Sequence, residues 1–164
     1  MATIEEVHRA FGDAAEVGQL IESHLGTMML AQQVHAENLI DVKYPERAKE
    51  LVDEINRHTL GQLLRKFHKA GPTLDALKER LEKALDERNR LTHHFFRHHN
   101  LRRNSEVGRD IMVADLVAIH ELLIEAYKAV MILDGIDLDA MMSGRAEHPF
   151  VHDAQMNPTK RLPI

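Results

Sequence analysis

Residues 86–100 read Asp-Glu-Arg-Asn-Arg-Leu-Thr-His-His-Phe-Phe-Arg-His-His-Asn, and four of the chain's twelve histidines stand among them. From Arg88 to Ser105 there is no acidic residue, while Arg88, Arg90, Arg97, Arg102 and Arg103 supply guanidinium groups. The chain as a whole carries a formal net charge of -5. Local reversal of charge on an acidic background points to a site for an anion more than to a solubility feature. The residue types suit phosphodiester chemistry. Cleaving RNA by its own 2′-hydroxyl needs a base, charge stabilisation at phosphorus and an acid for the leaving oxygen. Histidine titrates near neutrality and can move the proton. Arginine offers a fixed planar set of donors to phosphate oxygens. Such a reaction ends in a 2′,3′-cyclic phosphate and requires no metal or cofactor.

The elements that must hold these side chains read as helices throughout. Thr3 and Glu6 make a capping-box pattern. Ile4, Val7, Phe11, Ala14, Gly18, Ile21, Leu25 and Met28 follow in steps of three and four, which predicts a helix over 3–38. Gly12, Gly18 and Gly26 weaken it at ~1 kcal/mol each and permit close helix approach or a kink. Asp41 to Pro45 is a connector. Ala48, Leu51, Val52 and Ile55 mark a short amphipathic helix. Thr59 and Gln62 form a second capping-box pattern before Leu60, Leu63, Leu64 and Phe67, and Gly71-Pro72-Thr73 ends that helix. The central helix is expected over 74–98, followed by a polar loop from Asn100 to Gly108. Met112, Leu116, Ile119, Leu123, Ala126, Val130 and Leu133 define the last long helix, which Asp134-Gly135 closes. A short turn follows at Leu138 to Met142. The expected fold class is all-α: a bundle of three long helices plus short ones. Residues 1–142 form a single helical domain, and 143–164, with three prolines, an extended or mobile C-terminal tail.

One seam position is wrong for a core. The central helix has Leu77, Leu81, Ala84, Arg88, Leu91 and Phe95 along its seam. Arginine is seldom fully buried unless paired, because removing its charge from water is costly. Either Arg88 meets a carboxylate, or it snorkels to the bundle edge, or the seam opens there onto a cleft or subunit boundary. Asn89 and His93, four residues apart, share another face, with Asp86, Arg90 and Arg97 near it. That face is either simply solvated or an RNA-contacting or dimer-facing surface.

At Arg88-Asn89-Arg90-Leu91-Thr92-His93 the chain resembles the motif of HEPN domains, in which arginine and a polar residue are followed by histidine after four to six residues. The resemblance covers six residues and a matching position on a late helix of a helical bundle. It implies a HEPN-like homodimer in which two motifs meet as a metal-independent endoribonuclease. It assigns Arg88 and His93 as the catalytic pair, with Asn89 as polar helper. His94 satisfies the same spacing. Five helical steps set Arg88 and His93 about 140° apart, so a composite site from two chains would suit them better than one chain alone. RNA would then be held by Arg90, His94, Arg97, Arg102 and Arg103. A non-catalytic regulatory module of the same fold, acting on a partner protein, is the alternative. Phe96 lies off the seam centre and could stack a base or pack.

The same helix can also be read as a metal site. His94 and His98 are four apart, and Glu87 precedes His94 by seven on nearly the same face. The paired Glu-x-x-His motifs of di-iron bundles are missing, because Glu5-Glu6-Val7-His8 is a single copy. No phosphate-binding glycine loop, serine elbow or cysteine nucleophile is present. With no cysteine at all, neither disulfides nor thiolate metal ligands are possible. No apolar run approaches the ~18 residues of a membrane span, and the first residues lack a secretory pattern. These features predict a cytoplasmic protein without a membrane partner.

Overall fold

A computed structural model describes residues 1–37, 39, 45–70 and 75–143. Most of the Asp41–Pro45 connector, the stop at Gly71-Pro72-Thr73 and the tail after Ser143 lie outside the described residues. The described residues contain six α-helices and no strand. In chain order they are α1 (Ile4–Ala36), α2 (Pro45–Asn56), α3 (Leu60–Ala70), α4 (Asp75–His98), α5 (Glu106–Leu133) and α6 (Leu138–Met142), with a 3-10 turn over Arg102–Asn104 before α5. The protein is all-α.

Helix α1 runs through the middle of the assembly. It packs most extensively on α5 and also touches α2, α3 and α4. Its start is fixed as the sequence predicts: the Thr3 hydroxyl accepts from the Glu6 N–H, and the Glu6 carboxylate accepts from the Thr3 N–H. Val7, Ala14, Val17, Ile21 and Leu25 are buried, whereas the expected stripe members Ile4, Phe11 and Met28 are only partly so. A fully buried Leu or Ile contributes on the order of 1.5–3 kcal/mol. That outweighs the ~1 kcal/mol cost of a mid-helix glycine, so α1 runs continuously through Gly12, Gly18 and Gly26.

On α4 the seam buries Leu81, Ala84, Leu91 and Phe95, and on α5 it buries Met112, Leu116, Ile119, Leu123, Ala126 and Val130. Leu133, expected in that stripe, is exposed and Met131 is buried instead. The second capping box is half made. Gln62 accepts from the Thr59 N–H at 2.8 Å, and the Gln62 N–H goes to the Thr59 carbonyl. Gly135 closes α5 at φ 77°.

The loop expected from Asn100 to Gly108 is a correction. Helix α5 begins at Glu106, because the Ser105 hydroxyl caps it by accepting from the Gly108 N–H at 3.1 Å. Gly108 is therefore helical, and it is tightly enclosed. A Cβ there would stand 2.0 Å from the Arg102 carbonyl oxygen. The 3-10 turn thus lies directly on the first turn of α5.

Candidate nucleic-acid interface

The arginine in the seam meets a carboxylate. Arg88 Nη2 donates to Glu22 Oε1 at 2.9 Å and to Oε2 at 3.1 Å. Both side chains are 21% exposed, so the pair is screened but not sealed. Glu22 Oε1 also accepts from the Leu60 N–H at 2.7 Å, an orphan donor at the start of α3. One carboxylate on α1 therefore ties α3 and α4 together. Gly18, one turn earlier, leaves room for the aliphatic part of Arg88: a Cβ there would meet Arg88 Cγ at 3.1 Å.

Asn89 sits against Arg88. Its Oδ1 accepts from Arg88 Nη1 at 3.4 Å. No hydrogen bond joins Arg88 to His93, which is exposed and has the His94 ring 6.2 Å away. Within one chain the motif's arginine and histidine are not brought together.

Arg90 departs from the expected RNA contact. Nη1 and Nη2 bind the two oxygens of Asp115 at 2.8 Å each, and Nε donates to Glu87 Oε2 at 2.8 Å. A bidentate fork of this kind is strong and directional, so Arg90 is committed to joining α4 to α5. The Arg90 guanidinium, by donating to Asp115, holds that carboxyl below the usual carboxylate range against the opposing effect of burial, and His99 adds to it. Asp115 in turn, ahead of Glu87, pushes the Arg90 pKa upward.

Asp115 also binds His99, a residue the sequence reading passed over. Among the described residues His99 is the buried polar side chain, at 4% exposure. Its Nε2 lies 2.9 Å from Asp115 Oδ2, its Nδ1 lies 3.2 Å from Arg102 Nη1, and its ring lies against Phe95 at 4.5 Å. The signal was present: Leu91, Phe95 and His99 continue the seam in steps of four. No sequence pattern singled out Glu22, although it shares one face of α1 with Gly18 and Gly26.

The remaining candidates stay on the surface. His94, Arg97, His98, Arg102 and Arg103 are exposed. His94 and His98 stack at 5.9 Å. Among the described residues no carboxylate meets Arg97 or Arg103. Phe96 is 39% exposed and half-packed, with the Phe11 ring 5.1 Å away and the His8 ring at its edge. The metal reading does not assemble: among the described residues no three His, Asp or Glu side chains could hold an ion, and Glu87 faces Arg90. A groove of about 810 Å³ lies between α1 and α2, lined by Gln19, Glu22, Ser23, Val52 and His58 among others. Among the described residues, no helix is long and apolar enough to cross a membrane.

No family model, curated protein or solved structure matches the chain.

Proposed function

We propose that this protein binds single-stranded RNA on the surface formed by the end of α4 and the 3-10 turn, as a HEPN-like helical homodimer. The observation that carries the reading is the pair of exposed guanidiniums at Arg97, near the end of α4, and Arg103, in the 3-10 turn, which meet no carboxylate among the described residues, with His94 and His98 stacked on each other on the same last turns of α4 as Arg97. Guanidinium and imidazole groups in one short arc suit a phosphate backbone, and the half-exposed ring of Phe96 offers a base something to stack on. Unstacked single strands are the form in which both contacts are available at once.

The test is fluorescence anisotropy of a labelled single-stranded RNA, titrated at several salt concentrations. Arg97→Ala and Arg103→Ala should each weaken binding and lower the slope of log affinity against log salt by about 0.7. Binding indifferent to both substitutions would end the reading.

A metal-independent ribonuclease using Arg88, Asn89 and His93 across a dimer is the second reading. It is favoured by Asn89 sitting against Arg88 and by the exposure of His93. It requires Arg88 to leave Glu22. Cleavage in EDTA that disappears in Arg88→Ala and His93→Ala, with the helical fold intact, is its expected signature. A dimer that neither binds nor cuts RNA would instead be a regulatory module for a protein partner.

A further inference from the structure

We propose that His99, Asp115 and Arg102 form, within one chain, the proton-accepting and phosphate-anchoring group of an RNA-cleaving site. The proposal rests on the RNA-binding reading above and names what the bound strand would undergo.

The tautomer of His99 follows from its neighbours. Arginine only donates hydrogen bonds, so the Nδ1 that faces Arg102 Nη1 at 3.2 Å must present its lone pair. The ring proton is then on Nε2, donating to Asp115 at 2.9 Å. Held this way, the ring has a carboxylate behind it, the arrangement that fixes a catalytic histidine's orientation. Arg90 acts as a positioning residue: its two-pronged grip keeps the Asp115 carboxylate from turning.

His99 is buried, and Arg102 Nη1 is the group that meets its Nδ1. Arg102, the group that covers it, is itself exposed, and only its Nη1 bond to His99 engages its guanidinium among the described residues. The turn beneath is firmly held. The Arg102 N–H donates to the His99 carbonyl at 2.9 Å, and Arg109 donates to the Arg103 carbonyl at 3.2 Å. A base and an anion anchor in mutual contact match RNA, whose 2′-hydroxyl and 3′-phosphate are adjacent groups. A phosphate oxygen that draws Arg102 onto itself releases Nδ1 at the place where the neighbouring 2′-hydroxyl arrives.

The reaction balances without a co-reactant other than water. The 2′-O–H gives its proton to Nδ1, the 2′-oxygen forms a bond to phosphorus, and the bond from phosphorus to the 5′-oxygen breaks. The 5′-oxygen leaves with a proton from water, and His99 returns its own to solvent. The products are a 2′,3′-cyclic phosphate and a 5′-hydroxyl. Arg88 and His93 are not part of this group, because the first is held by Glu22 and the second points elsewhere on the helix.

The experiment uses the full chain, EDTA and a labelled single-stranded RNA, with the all-deoxy oligonucleotide as control. Expected is cleavage to a cyclic-phosphate end, with the deoxy strand uncut. His99→Gln keeps an amide donor for Asp115 but no base, and should lower the cleavage rate at least 100-fold with RNA affinity and melting temperature retained. Arg102→Ala, at an exposed position, tests the proposal even if His99→Gln fails to fold; it should lower kcat/KM at least tenfold. Undiminished cleavage in either variant would overturn the assignment. Wild-type protein that binds the RNA but leaves it whole overturns this proposal and the Arg88–His93 ribonuclease reading while RNA binding stands, whereas failure to bind overturns the RNA-binding reading as well.

Discussion

Arg88 occupies an aliphatic position because Glu22 neutralises it and Gly18 makes room for its stem. Hydrogen bonds to charged groups contribute roughly 1.5–3 kcal/mol each, and removing one partner of a screened pair leaves the other charge poorly solvated. Glu22→Gln should therefore destabilise the fold by about 1–3 kcal/mol in urea unfolding. The double variant Glu22→Leu with Arg88→Leu should lose less than that, because no charge is then stranded. Asp115 gives a pH signature. Its folded carboxyl titrates below the unfolded one, so its contribution is complete above about pH 4 and is lost as pH falls through the folded value. The stability gap between wild type and Asp115→Asn should close as the pH falls below about 4. A gap that stays undiminished well below about pH 4 would contradict the Arg90–Asp115 assignment.

At the scale of elements, the chain's glycines divide by what surrounds them. A Cβ on Gly12 meets nothing within 4 Å, on an exposed turn of α1. Gly12→Ala should raise stability by up to about 1 kcal/mol, visible as a higher melting temperature. Gly108 is the opposite case, since the Arg102 carbonyl occupies the place its Cβ would need. Gly108→Ala should cost about 1–3 kcal/mol and push the 3-10 turn off α5. Because Arg102 rides on that turn, the same substitution should weaken RNA binding although it adds no charge. Retained affinity in a destabilised Gly108→Ala protein would detach the turn from the binding surface. The junction of α4 and α5 thus carries both a structural seam and the candidate chemistry.

At the scale of the whole molecule, the proposed second copy would need an apolar face to meet. Val107 is 71% exposed and Ile111 44%, one turn apart on α5, and Ala114 and Ala118 continue that face. Leu101, 81% exposed, stands just before the 3-10 turn that leads into α5. An apolar strip of this kind is what the proposed dimer would cover. Sedimentation should report a dimer at micromolar concentration that Val107→Glu with Ile111→Glu converts to monomer. A wild-type monomer at all concentrations would remove the composite Arg88–His93 reading, while the His99 group, complete in one chain, would be untouched.

The helices were legible because burial of a helical stripe is a local, periodic property. Thr3 and Glu6, the α5 series from Met112 to Val130, and the odd arginine at 88 could all be read from neighbours in sequence. The surplus of arginine and histidine over carboxylates from 88 to 105 was equally plain from composition. Partner choice was not legible. Which carboxylate answers Arg88, why Arg90 faces α5, and why His99 rather than His93 is buried against Asp115 depend on residues 16 to 66 positions apart meeting across helices. Periodicity says which face of a helix turns inward. Only the packing of α1, α4 and α5 decides which charges on those faces come within hydrogen-bonding distance, because that distance is set by three axes at once and by the glycines that let them close.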